Sequence, residues 1–225
     1  MKLSYLITCH NEGVQLRSLL YELNIYRQHD DEIVVVDDFS DDEYTKGVLA
    51  EYSKVEGVRV LQHALNNDYG SHKNWGTEQC TGDYVFQIDS DELPSQTLLA
   101  NIHEIIEANP NVELIFIPRI NDYLGVTHQI AGQWGWRLTP SPRCDGRPII
   151  NWPDFQGRIY KRVTDRIRWD RKLHEKIEGH KEYSFLPVDE DLALYHKKTI
   201  EKQIQTNLRY NKDFTAAENQ GHRVI

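Results

Sequence analysis

No stretch of the 225-residue chain approaches the roughly 20 consecutive apolar residues that a membrane-crossing helix needs. The opening MKLSYLITCHNE has a short apolar segment, but it runs into His10, Asn11 and Glu12 without a small-residue cleavage site, so it reads as a first strand and not as a secretion signal. Cysteine is scarce: Cys9, Cys80 and Cys144 are widely spaced and outside any C-x-x-C pattern, which disfavours a disulfide framework or a zinc site and makes a reducing cytoplasm the expected compartment. Basic surplus is also missing. Lys and Arg number 26 against 35 Asp and Glu, a net charge of -9, so general nucleic-acid binding is not expected. One local exception runs from Arg158 to Lys172, with Lys161, Arg162, Arg166, Arg168 and Arg171 between. It reads either as a solvated strand face or as a surface for an anionic, phosphorylated acceptor. Repeats and low-complexity segments are absent.

What is present is alternation. LSYLIT (3–8), EIVVVDD (32–38), VRVLQ (58–62), DYVFQID (83–89) and VELIFIPRI (112–120) read as strands, the second apolar throughout, as in a parallel sheet covered on both faces. Between them Leu16, Leu19, Leu20 and Leu23 mark a helix over 12–28, and further helices fit 71–80 and 95–108. This is the sequence form of a doubly wound α/β sheet. Yet TCHNEG stands where the G-x-G-x-x-G fingerprint would follow the first strand, and the P-loop motif is missing too. A nucleotide bound here would therefore be held by carboxylates and a metal ion. Beyond 121 the periodicity fades among Trp134, Trp136, Trp152, Pro140, Pro142, Pro148 and Pro153, which suits either irregular core or binding loops. Short strands are expected at GRIYKR, RIRW and LALYH, and an amphipathic helix over 200–214.

The stretch FQIDSDELP places Asp89, Asp91 and Glu92 within four positions at a strand's carboxyl end, where open α/β sheets keep their ligand crevices. Such carboxylates repel one another unless something positive sits between them. A divalent cation such as Mg²⁺ or Mn²⁺ is one answer; a helix start capped by Ser90 or Asp91 is the other. Polar clusters also end the first strand (T-C-H-N-E) and the second (V-D-D-F-S-D-D), and in a parallel sheet all three lie on one edge.

This ordered set resembles family 2 glycosyltransferases of the GT-A fold, and in detail the branch containing lipopolysaccharide-core glucosyltransferases. The family's N-E after the first strand matches Asn11 and Glu12, its V-D-D-x-S-x-D matches VDDFSDD from Val36, and its D-x-D matches Asp89 and Asp91. NDYGSHKNWGTEQCTGDY resembles the intervening loop with cysteine in place of alanine, WPDFQGRIYKR the aromatic-Pro-Asp-x-Gln-x-Arg segment, and KLHEKIEGH the V-H-E-x-I-x-G segment. The likeness spans nearly the whole chain.

The resemblance implies one GT-A domain over 1–225, with a mostly parallel sheet and helices on both faces, a nucleotide-sugar half (1–120) and an acceptor half with the C-terminal helix (121–225). It implies a nucleoside-diphosphate sugar, most simply a UDP-sugar, against Thr8, Asn11, Glu12, Asp38, Lys73, Asp89 and Ser90. Mn²⁺ or Mg²⁺ would be bound by Asp89, Asp91 and His196. Glu175 would be the base of an inverting transfer, with Glu190 and Asp191 as competitors. From residues alone, Lys73 equally suits a solvent-exposed helix face and His196 a structural role. His174, Glu175 and His180 do not make H-E-x-x-H, which disfavours peptidase chemistry. A metal-dependent nucleotidyltransferase and a non-catalytic nucleotide-sugar-binding module remain alternatives, and the expected location is the cytoplasm, free or peripheral to a membrane.

Overall fold

A computed structural model describes residues 1–219. In chain order these form β1 (Leu3–Cys9), α1 (Gly13–Tyr26), β2 (Glu32–Asp37), α2 (Glu43–Tyr52), β3 (Val58–Gln62), α3 (Tyr69–Gln79) and β4 (Tyr84–Asp89). There follow β5 (Glu92–Pro94), α4 (Gln96–Glu107), β6 (Leu114–Ile117), β7 (Arg119–Leu124), α5 (His128–Gln133), β8 (Leu138–Pro140), β9 (Pro148–Ile150) and β10 (Gln156–Lys161). The last are β11 (Arg168–Asp170), β12 (Lys176–Glu178), β13 (Tyr183–Phe185), β14 (Leu194–Thr199) and α6 (Ile200–Asp213).

Seven strands make the central sheet in the order β13-β6-β10-β4-β1-β2-β3, and only β10 runs against its neighbours. Side-chain alternation sends Leu3, Tyr5 and Ile7 into one core with α1, α2 and α4, and Leu6, Val34, Val36 and Val85 into another with Trp169 and Ile177. Helix α1 buries Leu16, Leu19, Leu20 and Leu23 completely, each worth about 1.5–3 kcal/mol relative to exposure. Register places Thr8 opposite Asp89 and Cys9 opposite Asp37, so the carboxyl ends of β1, β2 and β4 share one edge.

A second sheet, β5-β14-β7-β9-β8, crosses that edge. The apolar run 112–120 is not one strand: Pro118 has no N–H to continue a ladder, so the chain leaves the first sheet at Ile117 and enters the second at Arg119. The acidic stretch does not cap a helix either. Ser95 caps α4 by accepting from Leu98 N, while Glu92–Pro94 pairs with β14. His196 thereby lies opposite Glu92 on one side and Asn121 on the other. The tryptophans beyond 121 mostly anchor this irregular part: Trp136 packs against Tyr123 and Trp134, and Trp152 against the small core of Ile120 and Ile149.

Candidate active site

An open cleft of about 1000 Å³ lies over the shared strand edge, lined by Thr8, Asn11, Glu12, Asp38, Lys73, Asp89, Ser90, Asp91, Glu175 and His196 of the residues singled out in the sequence. Asn11 works as a brace. Its Oδ1 accepts from Asp41 N and Asp42 N and its Nδ2 donates to Asp41, which fixes the β2–α2 loop beside the cleft. Asp38 accepts from Leu65 N at 2.9 Å, Ser90 donates to Glu12, and Glu12 also meets Lys202 at 2.9 Å. Asp37, next to Asp38, is turned inward and holds the loop through Ser40.

Lys73 is not a solvent-exposed helix lysine: 3% of its side chain is accessible. Two glycines bring α3 down onto its neighbours. A Cβ on Gly70 would stand 2.3 Å from Arg171 O, and one on Gly76 2.8 Å from Leu6 Cδ1. From there Lys73 Nζ reaches Asp89 Oδ1 at 3.1 Å and Glu175 Oε1 at 2.5 Å, over the face of Trp169. Burial works against the ammonium, but the two carboxylates more than offset it and hold its pKa above the ordinary lysine value.

The positive charge demanded by Asp89, Asp91 and Glu92 comes from the protein itself. Arg158 Nη2 donates to Asp89 Oδ2 at 2.7 Å and to Glu92 Oε1 at 2.6 Å. Arg119 joins Glu92 at 2.9 Å and Asp154 at 2.7 Å. Burial alone would raise the pKa of Asp89, yet Arg158 and Lys73 hold it well below the usual carboxylate range. Asp91 is held low in the same way by His196 and Lys198, against its own burial.

The network also fixes the histidine. Asn121 Nδ2 donates to Asp154 Oδ2 at 2.7 Å and to Ile150 O at 3.3 Å, so its Oδ1 faces His196 Nδ1 at 2.9 Å and that ring nitrogen carries the proton. Nε2 then points at Asp91 Oδ2, 3.3 Å away. Either a proton, giving an imidazolium–carboxylate pair, or a metal ion suits the space between that nitrogen and the Asp91 carboxylate. Among the described residues no three His, Cys, Asp or Glu side chains form a ready-made cage. The pair fits Mn²⁺ or Mg²⁺ as ions that take few protein ligands and fill the rest with phosphate and water. Asp89 differs, since both its oxygens are engaged by Lys73 and Arg158.

Glu190 and Asp191 do not line the cleft; they bond to Ser141 and Arg143. The basic run is dispersed rather than gathered. Arg158 is buried, Arg162 donates to Gly82 O, Arg166 pairs with Glu113, Arg168 with Glu78 and Lys172 with Glu218. Sequence reasoning gave no role to Arg119, Asn121, Asp154 or Lys198; of these Asp154 alone stands in a pattern that it had marked, the WPDFQGRIYKR segment.

An open, mostly parallel sheet with an acid-lined cleft at its strand ends, closed by a small second sheet, is the GT-A fold. The chain belongs to glycosyl transferase family 2, whose model matches residues 4–202. Among solved structures it is similar to residues 1–349 of TarS from S. aureus, with a TM-score of 0.57, 20% identity, and coverage of 99% of this chain and 69% of that one. The complex of the same protein with UDP-GlcNAc gives a TM-score of 0.58 at 20% identity over 88% of this chain and 59% of that chain. An uncharacterized glycosyltransferase from Haemophilus influenzae is 26% identical over 116 residues, 52% of this chain. That match spans 38% of the relative's length.

Proposed function

We propose that the chain is a metal-dependent, inverting glycosyltransferase that moves a sugar from a nucleoside-diphosphate donor to an acceptor hydroxyl. The observation that carries this reading is the meeting in one cleft of a carboxylate facing a histidine (Asp91, His196) and a second carboxylate held by a buried lysine (Glu175, Lys73). The UDP-GlcNAc complex of TarS supports a UDP-sugar as donor. Thr8, Asn11, Glu12, Asp38 and Ser90 wall the side of the cleft above β1 and β2 and would receive base and ribose, with Asp89 at the ribose.

Asp91 and His196 would hold Mn²⁺ or Mg²⁺, which when bound supplies charge stabilisation to the departing diphosphate. The remaining steps belong to side chains. Glu175 takes the acceptor's proton as the hydroxyl oxygen attacks the anomeric carbon, and the bond from that carbon to the diphosphate oxygen breaks on the opposite face, so configuration inverts. Lys73, between Asp89 and Glu175, holds the two carboxylates in place. We assign residues 1–120 to the donor half and 121–225 to the acceptor half of one domain. Lipopolysaccharide-core assembly, at or near a membrane surface, is the biological setting that the sequence resemblance favours.

Calorimetric titration of UDP-glucose, UDP-galactose and UDP-GlcNAc, with and without Mn²⁺, tests this together with detection of released UDP. Mn²⁺-dependent binding of one donor, lost in Asp91→Asn, is expected; unchanged metal dependence in the variant would remove Asp91 from the site. Pyrophosphate release from a nucleoside triphosphate would make the protein a nucleotidyltransferase, and donor binding without any turnover would make it a binding module.

A further inference from the structure

The cleft reaches two aromatic rings beyond the acidic centre, and these belong to a larger aromatic shelf on the adjoining surface. Phe116 and Phe155 line the far wall of the cleft. Phe185 stacks on Phe116 with centroids 4.7 Å apart and meets Phe155 edge-on at 4.8 Å. Tyr183 closes the group at 5.9 Å from Phe116. Phe185 pairs in register with Phe116, and β6 and β13 run parallel to each other. Because β10 opposes both β4 and β6, the carboxyl ends of β6 and β13 lie on the same sheet edge as Asp89, and Phe155 sits just ahead of β10 on that edge too. Strand order puts β1 and β2, with the proposed base pocket, on one side of β4 and this shelf on the other.

Tyr183 and Phe185 remain 57% and 49% exposed on an edge strand, where sheets ordinarily place charges or short polar residues. Their rings pack one another and leave faces open. The rim is polar: Lys176, Glu178 and His180 line the adjoining wall. His180 Nδ1 is buried with no hydrogen-bond partner among the described residues. Flat aromatic faces beside hydrogen-bonding groups suit a pyranose, whose C–H face is apolar and whose edge carries hydroxyls; an alkyl chain would leave the rim unused.

We propose that Phe116, Phe155, Tyr183 and Phe185 form the acceptor subsite and stack on the apolar face of an acceptor pyranose, directing its hydroxyl toward Glu175. This rests on the transferase reading. The test is saturation-transfer NMR with methyl β-D-glucopyranoside and octyl phosphate, on the full chain and on the double variant Tyr183→Ser/Phe185→Ser, with Phe185→Tyr as a variant that keeps the ring. Strongest saturation at the pyranoside protons H1, H3 and H5 is expected, with affinity falling on the order of tenfold in the double variant and retained in Phe185→Tyr. Equal saturation in the double variant, or saturation of the octyl chain in preference to the pyranose, overturns the shelf as a sugar subsite. UDP-sugar titration on the same samples separates the two readings. Intact donor binding without glycoside binding sinks the shelf alone, and glycoside binding without any donor binding sinks the transferase reading alone.

Discussion

The part of the chain that ends at Ile117 and the part that begins at Pro118 build facing walls of one cleft, and they carry opposite charge. The first contributes Glu12, Asp38, Asp89, Asp91 and Glu92; the second contributes Arg119, Arg158, His196, Lys198 and Lys202. Lys73 in the first and Glu175 in the second run against this pattern, and these two pair with each other at 2.5 Å. The first wall is made by repetition, because strand after strand delivers its loop to the same edge. The second is made by side chains that reach back across the sheet. An acid cluster that would be unstable alone is thus neutralised by a partner of quite different architecture, and the carboxylate of the cationic wall that the buried lysine engages is the one proposed to accept a proton.

Glu175→Gln tests that exception most severely. It keeps shape and hydrogen bonding but removes proton acceptance, so turnover should fall on the order of 10²–10⁴-fold while donor affinity is kept. Single-turnover assay beside calorimetry reads both, and full activity would show that the base lies elsewhere.

Arg158→Met breaks the comparison itself. It leaves Glu92, with 1% of its side chain exposed, facing one fewer cation, and Asp89 without its guanidinium. Removing one partner of a buried ion pair typically costs about 3–5 kcal/mol, readable as a lower urea midpoint. The pH dependence has a definite sign. Asp89 titrates below its unfolded value, so its contribution is present above about pH 4 and fades as pH falls through the folded pKa. The deficit of Arg158→Met should therefore be largest at neutral pH and shrink in acid; a deficit independent of pH would argue that Arg158 acts by packing alone.

A smaller effect sharpens the contrast from within the first wall. Burial, with His63 and Lys73 nearby and Asp38 opposing, pushes His72 down to about 4. Its folded pKa lies below the unfolded one, so stability should be full above about pH 6.5 and fall as pH drops toward 4, on the order of 1–3 kcal/mol. His72→Gln should flatten that part of the melting-temperature profile, and an unchanged slope would assign it to another group.

How much could be read from sequence follows the same division. VRVLQ is β3 as read, EIVVVDD contains β2, and the leucine spacing marks α1, because burial on a regular sheet imprints a period on the chain. Asp38, Asp89 and Asp91 were legible as polar groups at strand ends. The second sheet imprints no such period. Strands β5, β8 and β9 have three residues each, too few for alternation to register, and Pro118 conceals a change of sheet inside an apolar run. Arg119, Asn121 and Asp154 acquire their roles only when distant segments meet. The burial of Lys73 did leave a trace, in the glycines three residues before and three after it.

The register that sets His196 between Glu92 and Asn121 has a consequence for how the protein comes into being. Asp91 and His196 are 105 positions apart, and Lys73 and Glu175 102. At a synthesis rate of about 5–20 residues per second, the acidic loop leaves the ribosome roughly 5–20 s before the histidine and ammonium groups that will neutralise it. During that interval the first wall can fold its helices and strands locally, but the centre of the cleft waits for contacts between distant segments, which carry a large loop-closure cost. Competence for chemistry is therefore a late event in the life of each chain, arriving only when β14 slots between β5 and β7.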